Sequence, residues 1–252
     1  MLLLPLACTQ QPADPAVAPQ SQARALADSS LHRWLRRQPL PACSCDTLRP
    51  GRIQLARQRL LAAGWRPRQA YALVVDPLLQ RLYLLRADSV HCCYPVSTSR
   101  AGISSREGTI YTPPGLHAVR ERYGYQHPVG AVFRSRVHKP GEIAHIRTEP
   151  IDEEEDLITT RILWLEGLEE GINKGKGVDS YRRYIYIHGT HEEGLLGQPA
   201  SHGCIRMGNR AIARLYPHLP TGTLVEILRY PWRPVADSAL AAADSLPPDS
   251  NP

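Results

Sequence analysis

Two hydrophobic periods divide the chain. Residues 24–38 place Leu26, Leu31, Trp34 and Leu35 at approximately helical spacing. Residues 53–63 do the same with Leu55, Leu60 and Leu61, ahead of a stop at Gly64. From Tyr71 onward the period shortens to two. Segments 71–75 and 81–85 read as strands joined through Asp76-Pro77, and 89–97 reads as a third. The Thr112-Pro113-Pro114-Gly115 turn precedes another strand at 116–119. Further strands are predicted at 161–165, at 184–187 ending on His188-Gly189, and at 223–228. A short helix is predicted over 209–216, with Asn209 as its cap and Pro217 and Pro220 as its stop. The least regular stretch is 120–180, with an acidic run from Glu149 to Asp156 that holds six carboxylates in eight positions. The pattern predicts a mostly β domain with short helices, preceded by a small helical segment.

Length and composition fit that picture. The 252 residues suffice for one domain of about 150–200 residues with flanking segments. The boundaries fall at 1–21, 22–68, 69–230 and 231–252. These are an apolar start with a Pro- and Gln-rich tether, the helical segment, the β-rich domain, and a polar tail expected to be disordered. The first eight residues end in Leu6-Ala7-Cys8 and resemble a bacterial lipoprotein signal, which makes Cys8 a candidate lipid anchor on an exported protein. The stretch is short, lacks basic residues ahead of it and contains Pro5, and in these respects departs from such signals. No apolar run reaches the roughly 18 residues of a membrane-spanning helix. The net charge of +6 is spread along the chain without a nucleic-acid motif, so an ordinary solvated surface accounts for it and no nucleic-acid partner is expected.

The chemistry concentrates in residues 185–207, IYIHGTHEEGLLGQPASHGCIRM. A cysteine becomes a strong nucleophile only as thiolate, so it needs an imidazole or another positive field nearby. His188, at a strand end, is placed to be that imidazole for Cys204, and a carbonyl just beyond it can fix the ring tautomer. Gly203 permits close approach of substrate to the backbone around Cys204 and leaves amides free to receive an oxyanion. Two other readings stay open on residue types alone. His188, His191, His202 and Cys204 are zinc-type donors, though not at a common structural-zinc spacing, and Cys204 could be an inert core thiol. The Gly/Lys loop at 171–177 lacks P-loop spacing.

The run Ser201-His202-Gly203-Cys204-Ile205-Arg206, with His188-Gly189-Thr190 ahead of it, resembles the signature of the L,D-transpeptidase (YkuD) catalytic domain. The resemblance extends from about Tyr71 to Leu228, fills every motif position, and displaces the zinc and inert-thiol readings. It implies a mixed β-sandwich with Cys204 as nucleophile and His188 as general base, Gly189 orienting His188, and no metal or cofactor. Ser201, His202 and Gly203 would shape the nucleophile loop, while Arg206 would structure the site or meet a substrate carboxylate. His191 falls outside the signature and is expected to be a solvated loop residue. The implied substrates are peptidoglycan tetrapeptide stems, cross-linked 3→3 to an amine acceptor by a monomeric periplasmic enzyme, itself a carbapenem target. Water as acceptor would make it an L,D-carboxypeptidase, and a lipoprotein lysine would make it an anchoring enzyme. A wall-binding protein that no longer turns over is the reading from a different class. The 120–180 region is a candidate lid whose acidic face would attract the acceptor amine, against the plainer reading of a solvated loop. In an oxidising periplasm Cys43, Cys45, Cys92 and Cys93 could pair. Cys92 and Cys93 point to opposite faces of a strand, so one of them is expected to bridge to Cys43 or Cys45.

Overall fold

The structure, a computed structural model, describes Leu40, Cys45 and residues 50–87 and 89–229. The expected helix over 24–38, the start with Cys8, Cys43 and the tail from 231 lie outside the described residues. Strands β1 (Ala72–Asp76), β2 (Arg81–Arg86) and β3 (Ser89–Ser97) form a meander, followed by β4 (Gly115–Tyr123). Then come β5 (Ala131–Arg134), β6 (Val137–Ile143), β7 (Ile158–Gly167), β8 (Tyr186–Gly189), β9 (Ile205–Met207) and β10 (Leu224–Ile227). Two α-helices accompany them among the described residues, α1 (Pro50–Ala62) and α2 (Asn209–Leu215).

The strands pair in the order β4-β10-β1-β2-β3-β9-β8-β7-β5-β6, and β4 also pairs with β7. The fold is therefore mostly β, and the two faces of the expected sandwich join edge to edge through the β4–β7 pairing. All of β1 is buried because each face of it is covered. Leu73 and Val75 point inward with Leu82, Leu84, Val96, Leu163, Leu165, Ile187, Ile205, Val225 and Ile227, where Ile212 and Leu215 of α2 join them. Ala72, Val74, Tyr83 and Leu85 face outward under α1. Each fully buried aliphatic side chain contributes about 1.5–3 kcal/mol.

The buried stripe of α1 is Ile53, Ala56 and Leu60, spaced three and four residues apart, whereas Leu55 is 60% and Leu61 40% exposed. Of the leucines marked by period, Leu60 is in the contact and Leu55 and Leu61 are not, because Ile53 and Ala56 complete the stripe. Arg59 on the same helix bonds Glu226 of β10 at 2.8 Å and Glu169 at 2.9 Å. The Cys45–Cys93 disulfide, with Cα atoms 5.7 Å apart and a sequence separation of 48, ties Cys45, ahead of α1, to β3. This is the kind of bridge the strand geometry calls for. Cys92 is disulfide-bonded as well.

The region 120–180 is more regular than its sequence suggests, since it holds the β5–β6 hairpin and the long central strand β7. The hairpin escapes a sequence reading because its two-residue turn is Ser135-Arg136 instead of Asn-Gly, with φ of 47° and 75°. Pro140 and Gly141 also interrupt the pattern of β6, which is tolerable because β6 is the terminal strand of the pairing order.

Candidate active site

Strands β8 and β9 run parallel, with Ile187 beside Ile205, His188 beside Arg206 and Gly189 beside Met207. Residues paired across neighbouring strands share a face, and alternate residues change face. Ile185, Ile187, Ile205 and Met207 enter the core. The residues between them, Tyr186, His188, Cys204 and Arg206, therefore gather on the opposite face. Cys204 and His188 reach one surface through two short strands whose other side is anchored in the hydrophobic centre.

Cys204 is half-buried and is the free cysteine among the described residues. The Tyr186 backbone N–H donates to its Sγ at 3.4 Å, and the thiol donates to the Tyr184 carbonyl at 3.4 Å. Burial pushes the thiol up to about 12. The Tyr186 amide, Arg206 and Arg183 oppose that shift, and the Asp156 carboxylate adds to it. His188 is 1% exposed. Its Nδ1 lies 2.7 Å from the Gly189 carbonyl; the carbonyl can only accept, so Nδ1 carries the proton and Nε2 is left as the basic nitrogen. Burial lowers the imidazole's pKa, Asp156 and the Gly189 carbonyl work against this, and Arg206 adds to it.

Burial therefore favours the neutral form of both groups at pH 7. Alkylation of Cys204 by iodoacetamide should accelerate about tenfold per pH unit and keep rising beyond pH 9. Intact-mass kinetics check this. A rate plateau between pH 6 and 8 would instead reveal a standing thiolate–imidazolium pair.

The loop before Cys204 is fastened from within. Ser201 Oγ donates to the Cys204 carbonyl at 2.6 Å and accepts from the Gly203 N–H at 3.2 Å. Gly203 has φ +124°, and a Cβ there would lie 3.1 Å from the Ile110 carbonyl oxygen and 3.3 Å from that of Tyr111. Thr112 of the Thr-Pro-Pro-Gly turn donates to the Gly203 carbonyl at 2.9 Å, so this turn is a wall of the site. Arg183, which the sequence reading passed over, holds the wall in place. Its guanidinium donates to the carbonyls of Tyr111 at 2.6 Å, Ser104 at 3.3 Å and Thr109 at 3.4 Å.

Behind Gly189 the packing is equally close. A Cβ on Gly189 would lie 2.5 Å from Asn209 Oδ1 and 2.8 Å from the Thr159 carbonyl oxygen. Asn209 is not the helix cap that its position suggests. Gly208 is the cap residue of α2, and Glu193 Oε1 accepts from the Asn209 backbone N–H at 2.7 Å. The Asn209 side chain instead donates to the Thr190 carbonyl and accepts from the hydroxyls of Thr159 and Thr160, joining β7, β8 and α2.

Arg206 is 1% exposed and spans two carboxylates, Asp156 at 2.8 Å and Glu192 at 2.6 Å. It structures the site. With both terminal nitrogens engaged and the side chain buried, it does not serve the alternative role of meeting a substrate carboxylate. Asp156 also receives His202 Nδ1 at 3.1 Å, which holds the otherwise exposed imidazole beside the nucleophile loop. Burial opposes ionisation of Asp156, yet Arg206, His188 and the hydrogen bonds from Arg206 and His202 keep its carboxyl below the usual range.

His191 is not solvated: it is 2% exposed, with Nε2 3.0 Å from Glu153. Glu153 also pairs with Arg147, Asp152 with Arg100 and Glu155 with Arg134. Four of the six carboxylates, Asp152, Glu153, Glu155 and Asp156, thus face arginines, which reduces the charge the run offers to an acceptor amine. Asp156 and Glu192 become visible as site residues only in three dimensions, because their partner Arg206 is 50 and 14 residues away in sequence.

A family model described as the L,D-transpeptidase catalytic domain, YkuD, matches residues 70–227, more than half of the chain. The Bacillus subtilis (strain 168) protein YqjB, provisionally named an L,D-transpeptidase, is 44% identical over 52 residues, spanning 21% of this chain and 28% of that protein. An L,D-transpeptidase structure from Xylanimonas cellulosilytica is 20% identical, with 69% of each chain covered and a TM-score of 0.37. L,D-transpeptidase 3 from Mycobacterium tuberculosis, solved with a faropenem-derived adduct, is 15% identical. The match covers 64% of this chain and 60% of that one, with a TM-score of 0.38.

Proposed function

The chain belongs to the L,D-transpeptidase catalytic domain family, YkuD, and on that premise we propose that it cross-links peptidoglycan stem peptides through a thioester on Cys204. The observation that carries this reading is the shared face of β8 and β9, which presents Cys204 together with a His188 whose Nε2 is left basic by the Gly189 carbonyl. The thiol attacks the carbonyl of the third residue, a diamino acid, in a tetrapeptide stem, and its proton passes to His188 Nε2. Backbone amides of the nucleophile loop receive the oxyanion. The tetrahedral intermediate collapses as the C–N bond to the terminal D-alanine breaks, and His188 returns its proton to the leaving amine. A side-chain amine of a second stem then attacks the thioester, loses its proton to His188 and expels the sulfur, giving the 3→3 cross-link.

The Cys45–Cys93 disulfide favours an oxidising compartment such as the periplasm. Incubation with disaccharide-tetrapeptide, followed by mass spectrometry of the products, tests the proposal. A dimer that has lost one D-alanine is the expected product. Tripeptide alone would reassign the enzyme as an L,D-carboxypeptidase, and transfer to a lipoprotein lysine would make it an anchoring enzyme. Unchanged tetrapeptide, together with no carbapenem adduct on Cys204, would leave only a wall-binding role.

A further inference from the structure

The cations around Cys204 are unequally occupied. Both terminal nitrogens of Arg206 are engaged by carboxylates, and Arg183 is taken up by three backbone carbonyls. Arg136 is held differently. It sits at the tip of the β5–β6 hairpin with φ 75°, a left-handed conformation that disfavours a residue with a side chain. That turn delivers its guanidinium onto an aromatic floor, 4.4 Å from the Trp164 ring centre and 5.0 Å from that of Tyr184. One nitrogen donates to the Tyr186 hydroxyl at 2.9 Å. Trp164 is itself held by stacking on Tyr181 at 4.0 Å and by an edge contact with Tyr186.

The same segment holds the nucleophile, since the Tyr184 carbonyl and the Tyr186 amide are the groups that bracket Cys204 Sγ. Arg136 is half-buried, and the contacts described for it are aromatic rings and the Tyr186 hydroxyl. A guanidinium offers five N–H donors in a planar fork. The rings occupy its face and Tyr186 one donor, which leaves an edge suited to a bidentate carboxylate.

We propose that Arg136 is a specificity-determining residue that binds a carboxylate of the donor stem while the scissile carbonyl lies at Cys204. This rests on the transpeptidase reading above. Two carboxylates of such a donor qualify: the C-terminal one of the leaving D-alanine, and the side-chain one of the diamino acid where it carries one. Tetrapeptide donors amidated at either position, or at neither, separate the two sources when acylation of Cys204 is followed in the wild type, Arg136→Gln and Arg136→Lys.

Amidating the recognised carboxylate should raise the wild-type KM about 10- to 100-fold, with kcat moved far less. Arg136→Gln should raise the KM of the free acid by a similar factor and accept acid and amide alike. Arg136→Lys should keep part of the discrimination. Because each enzyme is compared with itself on two donors, a general loosening of the aromatic floor would not imitate this result. An Arg136→Gln enzyme that still prefers the acid by the wild-type factor overturns the proposal alone. A wild type acylated by none of the donors overturns the transpeptidase reading and this assignment with it.

Discussion

The Cys204→Ala protein is expected to form no acyl adduct with tetrapeptide or carbapenem, and His188→Ala to slow adduct formation by about 10²- to 10⁴-fold. The second effect is large because no basic side chain hydrogen-bonds the sulfur among the described residues. Burial holds the thiol near 12, so a spontaneously formed thiolate is rare at pH 7, and the groups bonded to Sγ are a backbone amide and a carbonyl. Raising the pH should restore part of the His188→Ala rate, since hydroxide then does what the imidazole did. Single-turnover acylation read by intact mass across pH 6 to 10 measures both quantities. A His188→Ala rate within threefold of the wild type at pH 7 (about 0.6 kcal/mol of barrier) would remove His188 from the mechanism.

Arg206→Met is expected to cost about 3–5 kcal/mol of folding stability at pH 7. The arginine is buried between Asp156 and Glu192, and a methionine fills similar space while stranding both carboxylates. Asp156 has its pKa depressed in the fold, so in the wild type it contributes stability that is present above its unfolded value. That contribution disappears as pH falls through the folded one. Without Arg206 the sign reverses: burial then favours the neutral acid, and protonation relieves the variant. The gap between the two proteins should be widest at neutral pH and narrow as pH drops through the carboxylate range near 4. Adding Asp156→Asn and Glu192→Gln to Arg206→Met should recover much of the loss. Urea unfolding at pH 7 and pH 4.5 tests this, and a deficit below 1 kcal/mol that ignores pH would show that the three charges are not coupled.

What could be read from the chain and what could not divide along physical lines. Short-range regularities were legible. The strand ending on His188-Gly189 and strand β3 lie where their patterns mark them, whereas the three residues of β9 are too few to show a period. Long-range pairings were not. Arg206 looked available to substrate because Asp156 and Glu192 are remote in sequence, and His191 looked solvated because Glu153 is. Arg183 gave no signal, since its partners are backbone carbonyls, which every residue possesses. The hairpin bearing Arg136 was hidden by a turn whose backbone is unusual for its residues. Asn209 was assigned to a local cap, whereas its hydrogen bonds reach β7 and β8.

The elevated thiol of Cys204 also bears on how the chain reaches its final covalent state. Among the described residues Cys45 and Cys93 form a bridge and Cys92 is engaged next door, while Cys204 carries the free thiol. Thiol–disulfide exchange proceeds through thiolate, and a group titrating near 12 holds only about one part in 10⁵ of it at pH 7. Once buried beside Tyr186, the nucleophile is therefore a slow partner for scrambling and for small oxidants. The same burial that raises the Cys204 thiol thus also protects it from exchange.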